Sequence, residues 1–290
     1  MIKAKVIKHS SHNTIKDLVT FELEYPRFIH SELMTHRVFS RNAASSRAIP
    51  IAKMIEQVKS NPAMPVHWGV NQPGMQAVFE HQNIKACKKA WVEAAESAVK
   101  SAQSLLGMGL HKQIVNRVLE PFQTMKTIVT STEWDNFFEL RCHKDAQPEI
   151  KALADLMKSE LDWSSPQLLE KGEWHLPYVT TIKGEDEEFR FYIFDGDSLE
   201  SSEDDSKMEL SLEDAKKVSA SCCAQVSYRD IDNSLEKALK IFDILVAGRP
   251  IHASPFEHVA TPWSSSVSRY KTANFNGWVQ YRSMIEGDMV

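Results

Sequence analysis

Polar and apolar positions alternate from the start of the chain. Residues 2–8 interleave lysines with apolar side chains, which predicts a strand. Asp17 to Glu24 reads DLVTFELE, with Leu18, Thr20, Glu22 and Glu24 on one face and Val19, Phe21 and Leu23 on the other. That is a second and better strand, ended by Pro26. The period then changes. His30, Leu33 and Met34 fall at helical spacing within Phe28 to Thr35, and Pro50 closes the polar stretch that follows. Residues 51–59 suit a short helix. Asn61 to Pro73 carries three prolines and a glycine and reads as a loop. Met75 to Leu106 is rich in Ala, Lys and Glu, so it predicts one long helix, or two separated near Asn83. Lys112 to Glu120 continues as a helix stopped by Pro121. Thr132 to Arg141, with Thr132 as N-cap, and Ala146 to Leu161 predict two more.

Gly184 to Lys207 breaks the pattern with ten acidic residues around Phe189–Phe194. The apolar run is expected to be an edge strand, and the acidic flanks a solvated, mobile loop. No calcium-loop spacing is present there, and no metal site is expected anywhere. Ser211 caps a predicted helix that carries Glu213 and Asp214 in its first turn. Leu235 to Val246 is an amphipathic helix that Gly248 ends. The tail from Pro250 to Ile285 is rich in Trp, Tyr and Ser. Trp263, Tyr270, Trp278 and Tyr281 are expected in core or interface, and Asn274 to Trp278 could be a turn near a site. There is no internal repeat.

Bulk properties narrow the function. A chain of 290 residues allows one large domain or two ordinary ones, and we take 1–290 as one catalytic domain. Hydrophobic content of 42% and charged content of 25% suit a soluble protein. With 34 basic and 39 acidic side chains the net charge is −5, so no overall basic field favours nucleic acid. A local basic pocket for small anions remains compatible. Cys87, Cys142, Cys222 and Cys223 include no C-x-x-C pair and read as reduced thiols of a cytoplasmic protein. No signal peptide or membrane span is expected.

The densest chemistry lies at His36 to Arg47, where three arginines, a histidine, three serines and an asparagine share twelve residues. Guanidinium and hydroxyl groups at this density suit a phosphate, although a solvated helix face or loop has the same composition. The spacing H-R-x-x-S-x-N-x-x-S-x-R resembles the signature of the flavin-dependent thymidylate synthases, the ThyX family, R-H-R-x-x-S-x-N-E-x-S-x-R. His36, Arg37, Ser40, Asn42, Ser45 and Arg47 meet six of eight positions, while Thr35 replaces the first Arg and Ala43 the Glu.

Three further segments resemble the same family. Asn136-Phe137-Phe138-Glu139-Leu140-Arg141 followed by Ala146-Gln147-Pro148-Glu149-Ile150 is similar to N-F-x-x-L-R and A-Q-x-E-I. Arg117 to Pro121 is similar to R-x-x-x-P. Ala224 to Tyr228, with His252 to His258, is similar to A-R-V-S and H-x-[ST]-P-F-E-H. The last pair is out of order: P-F-E-H usually precedes the signature, and here it follows by about 210 residues. A circular permutation accounts for this, with the acidic segment at the junction of the old ends.

The resemblance implies an α+β fold with a mixed or antiparallel sheet flanked by helices, assembled as a homotetramer with shared sites. It implies synthesis of thymidylate from deoxyuridylate (dUMP), with methylenetetrahydrofolate, FAD and NADPH. By position, Ser45, Arg47 and Arg117 would meet the nucleotide phosphate, and Arg141 the uracil ring. His36, Arg37, Asn136, His252, Ser254 and Glu257 would meet FAD. Arg141 and, more weakly, Ser45 are the catalytic candidates. Each residue also has an ordinary reading: Asn136 as a helix-surface residue, Arg141 as part of a solvated turn, a lone histidine as a hydrogen-bonder. Glu32 stands where a Gln is usual and could compensate for the Glu absent at Ala43. Ala48 and Asp145 also depart from the pattern. Two other functions fit: installing a different one-carbon group such as hydroxymethyl, or binding a nucleotide without turnover.

Overall fold

Val19, Phe21, Leu23 and Tyr25 are buried on one side of their strand, and Leu18 and Thr20 on the other, so this strand is covered on both faces. The computed structural model describes residues 2–194, 207–228, 231–248, 250–263 and 272–287. In chain order the elements are β1 (Lys3–His12), β2 (Ile15–Pro26), α1 (His30–Met34), β3 (Ser40–Ala43), α2 (Ile51–Ser60), α3 (Ile84–Gly107), α4 (Lys112–Val115) and β4 (Thr124–Ser131). Then come α5 (Asp135–Arg141), α6 (Pro148–Trp163), β5 (Gln167–Leu168), β6 (Thr180–Lys183), β7 (Phe189–Phe194) and β8 (Lys207–Leu210). The last are α7 (Leu212–Gln225), α8 (Leu235–Ala247), β9 (Ala260–Pro262), β10 (Trp278–Gln280) and α9 (Tyr281–Gly287).

The fold is α+β. Its main sheet runs β3-β4-β2-β1-β5, antiparallel except for the short parallel pairing of β1 with β5. One face packs Phe21, Leu23 and Val129 against Phe137 of α5 and Ile150, Leu153 and Met157 of α6. On the other, Ile128 meets Cys223 and Val226 at the end of α7, and Leu18 meets Ala260, Phe275 and Trp278. Apolar side chains removed from water on both faces supply the main driving force for this layering. A separate cluster joins α2 and α3 through Met54, Val58, Ala95 and Val99.

Several expectations change. The strand β4 was not foreseen. Met125, Thr127, Ile128, Val129 and Thr130 are all buried, so a strand enclosed on both faces shows no alternation. Phe189–Phe194 is not an edge strand; β7 is the centre of a second sheet, β6-β7-β8. Of the acidic flanks, residues 195–206 lie outside the described residues, as does Tyr270. Residues 75–83 are not helical: α3 starts where the Asn83 side chain accepts the Ala86 N–H at 3.1 Å. Thr132 caps no helix, and its hydroxyl instead accepts the Asn276 N–H at 3.0 Å. Pro121 sits inside a 3-10 turn, Asn116–Phe122, rather than ending a helix. The cap at Ser211 is present, with its hydroxyl accepting the Asp214 N–H at 3.1 Å. All four cysteines are free, and burial pushes the Cys222 thiol up to about 12. No helix among the described residues is long and apolar enough to cross a membrane.

Candidate functional site

The stretch with the dense chemistry forms the edge of the main sheet. Ser40 to Ala43 pair antiparallel with Thr130 to Thr127, so β3 takes its position from β4. Just upstream, the end of α1 meets the end of α5. Arg141 Nε donates to His36 Nε2 at 2.9 Å, and Nη2 donates to the Thr35 hydroxyl at 3.2 Å. Its Nη1 lies 3.8 Å from Glu32 Oε2, in a half-buried pair. Thr35 in turn donates to the Glu32 carbonyl at 2.7 Å. The His36 ring packs edge-on against Phe137 and stacks with Phe39. Burial, with Arg141 and Arg41 nearby, lowers the His36 pKa to about 4. The ring is therefore neutral near pH 7, and accepting at Nε2 leaves its proton on Nδ1. Burial raises the Glu32 pKa while Arg141 opposes that shift. Thus Glu32, His36 and Arg141, 109 residues apart at the extremes, form one constellation.

The segment after β3 is fastened to the far end of α7. Ser45 N–H donates to Ser227 O at 3.0 Å, and the Asn42 side chain donates to Cys223 O at 3.4 Å. Between these parts opens a cleft of about 450 Å³ lined by Arg41, Gln225, Tyr228, Ile244, His252 and Ser254. Arg41 Nη1 donates to the carbonyls of Met34 and His36 at 3.0 and 3.1 Å. Glu257 acts on it electrostatically without pairing with it, and is held by Arg282 at 2.5 Å. His258 is fully buried and hydrogen-bonds Thr130 at 2.8 Å. From there a polar chain runs through Thr20 (2.7 Å) to His175 (2.8 Å) and Ser10 (2.9 Å). His258 therefore pins the P-F-E-H turn to the strand that carries β3, despite the distance between them in sequence.

Not every candidate joins a cluster. Arg37, Arg47, Arg117, Asn136 and His252 are exposed. Arg117 bonds Glu120 at 2.7 Å, whereas the Arg37, Arg47 and Asn136 side chains have no hydrogen bond or ion pair among the described residues. Ser45 Oγ accepts the Arg47 N–H at 3.3 Å, and no base reaches it among the described residues. Three residues near the site escaped the sequence reading, Arg41, Gln280 and Arg282, while Asn274 was read only as part of a turn. Asn274 donates to Val38 O at 2.8 Å and to Ser40 Oγ at 3.1 Å, and Gln280 bonds Asn274 at 2.8 Å. The turn at Asn274 thus does reach the signature. Gly277 enters it at φ +80°, and a Cβ there would lie 2.4 Å from Ile15. The one available signal for Arg41 was its place among the three arginines of the dense stretch.

Among solved structures, the chain is similar to a UMP/dUMP methylase PolB from Streptomyces cacaoi bound with 5-Br dUMP, at 17% identity and a TM-score of 0.46, spanning 56% of this chain and 90% of that one. The same methylase bound with 5-Br UMP matches at 18% identity and a TM-score of 0.45, over 56% and 88%. No curated protein sequence matches the chain. A family model described as thymidylate synthase complementing protein matches residues 4–167, more than half of the 290 residues, and takes in the signature, Arg117 and Arg141. The chain belongs to the thymidylate synthase complementing protein family.

Proposed function

We propose that the protein is a flavin-dependent thymidylate synthase that methylates dUMP with methylenetetrahydrofolate and NADPH. One observation carries this reading: segments spread over the chain converge on one sheet edge, with Arg141 bonded to His36 and Ser45 bonded to Ser227. The out-of-order motifs meeting there support a circular permutation of the family arrangement. Reduced FAD, when bound, supplies the hydride in this family. The cleft offers a guanidinium, hydroxyl and imidazole groups beside an apolar wall, a donor set that fits part of a flavin dinucleotide.

In this reading the side chains divide the work. Ser45, Arg47 and the exposed Arg117 hold the nucleotide phosphate by charge-assisted and hydroxyl bonds. The Arg141 fork bonds uracil oxygens and stabilises negative charge as the ring is reduced. Neutral His36 fixes that fork from behind, and Glu32 balances its charge. His36, Arg37, Asn136, His252, Ser254 and Glu257 face the cofactor. The exposure of Arg37, Arg47 and Asn136 suits a homotetramer in which another copy completes each site.

Thr35 takes an Arg141 hydrogen bond where the family has an arginine, and Ala43 removes a carboxylate. These departures favour a second reading, in which the same flavin and folate chemistry installs a different one-carbon group, such as hydroxymethyl. The first experiment is an absorbance spectrum of the purified protein, then anaerobic NADPH addition with and without dUMP. A flavin band that bleaches faster with dUMP is expected. A protein that neither carries nor takes up flavin would sink both readings and leave a nucleotide-binding role. The mass of the nucleotide product separates methyl from hydroxymethyl.

A further inference from the structure

Arg41 occupies an unspecified position of the signature, yet it is a half-buried guanidinium lining the cleft that has no acidic partner among the described residues. Arg27 is paired with Glu120 at 2.9 Å, Arg282 with Glu257 at 2.5 Å and Arg141 with Glu32 at 3.8 Å. Arg41 has no carboxylate within 4 Å among the described residues, and Glu257, the acid whose charge it feels, is already held by Arg282. Two peptide carbonyls, of Met34 and His36, fix its Nη1. Nε and Nη2 have no partner among the described residues. A partly desolvated charge with a free face is costly unless an anion answers it. The remaining donors form a planar fork, the geometry that matches phosphate. The cleft it lines provides Ser254 as a further donor and the side chains of Ile241, Ile244 and Leu245 as an apolar wall.

We propose that Arg41 is an anion-binding residue of this cleft, taking a phosphate of the nucleotide ligand and supplying the cation that Thr35 lacks. The identity of that nucleotide rests on the function proposed above; the anion subsite does not. Its Nη1 bonds also give Arg41 a purely structural role, as the cation at the C-terminal end of α1. The test must separate the two.

FAD, riboflavin, dUMP and inorganic pyrophosphate are titrated into the wild-type protein, Arg41→Gln and Arg41→Lys, by flavin fluorescence and calorimetry, with thermal melts alongside. Arg41→Gln is expected to weaken FAD or dUMP about 10- to 100-fold, the size of one charge-assisted interaction. Whichever ligand is weakened is the source of the phosphate. Riboflavin, which has no phosphate, keeps its affinity, and Arg41→Lys loses less than Arg41→Gln. Pyrophosphate displaces the affected ligand from the wild-type protein, a result that needs no variant to fold. Equal FAD and dUMP affinities in Arg41→Gln and wild type would overturn the subsite and leave the proposed function standing. Failure of pyrophosphate to compete would also overturn it. A wild-type protein that binds pyrophosphate but neither FAD nor dUMP would keep the subsite and remove the proposed function.

Discussion

Arg141 has three partners that differ in chemistry: a neutral imidazole, a hydroxyl and a carboxylate. Only a planar fork with several fixed donors serves all three. Arg141→Lys keeps the charge and loses the fork. In an assay of thymidylate formation it should lower kcat about 100-fold, the scale of one transition-state donor, with little change in melting temperature. Unchanged kcat would take Arg141 out of the chemistry. Glu32 is the more delicate case, because its carboxylate both balances and competes for Arg141. Glu32→Gln should weaken dUMP binding several-fold if Glu32 replaces the carboxylate missing at Ala43, and unaltered affinity would count against that role. At this scale the sequence named His36, Arg141, Ser45 and Glu257 as candidates, because motifs fix which residue types stand at which spacing, and the structure brings His36 and Arg141 together. It did not single out Arg41, and it placed Asn274 only in a turn near the site. Their roles arise from what lies beside them: an unopposed charge over a cleft, and an amide within reach of Val38 and Ser40.

The elements repeat this division between local and distant causes. β1 and β2 were legible because alternation records a two-faced strand, and the cap of α7 because Ser211 and its acidic first turn act locally. The strand β4 was hidden because both of its faces are buried; Phe189–Phe194 was legible as a strand, but not its central place, because its neighbours β6 and β8 are set by the fold in space. Asn83 marked the start of α3, yet the Ala-, Lys- and Glu-rich composition extended the helix too far toward Met75. Helix α7 matters to the site, since its end carries Cys223 to the signature and Gln225 to the cleft and leads directly to Ser227. Ser211→Ala leaves the Asp214 N–H without its cap and should cost about 1 kcal/mol of unfolding free energy. Ligand affinities should hold, because the far end of α7 is anchored by its own contacts. Chemical denaturation measures the first and a flavin titration the second. Equal losses in stability and affinity would mean that the helix transmits its fraying to the cleft.

On the scale of the whole molecule, the sheet is fastened to its second layer by buried histidines rather than by hydrophobic contact alone. His175 and His258 are members of the chain Ser10–His175–Thr20–Thr130–His258, and both are fully buried. Burial lowers the His258 pKa to about 3 and drives His175 well below its ordinary 6.5. His36 is lowered to about 4, and His30 in the same direction. Above pH 6.5 these rings are neutral folded or unfolded, so they add no pH dependence. Below it the unfolded chain takes up protons that the folded chain refuses, and stability falls with pH until the folded pKa values are reached. Each fully buried histidine should contribute a slope of about 1.4 kcal/mol per pH unit. Lys8, lowered by burial to about 8, acts only in the alkaline range. Urea unfolding between pH 7.5 and 4.5 should therefore show a plateau and then a steep decline beginning near pH 6.5. His258→Asn keeps a polar group near Thr130 without a titrating ring, so it should be less stable at pH 7.5 and lose about one proton's share of the slope. A flat profile in the wild-type protein would mean that water reaches these rings. The joint between P-F-E-H and β4 would then be looser than its geometry indicates.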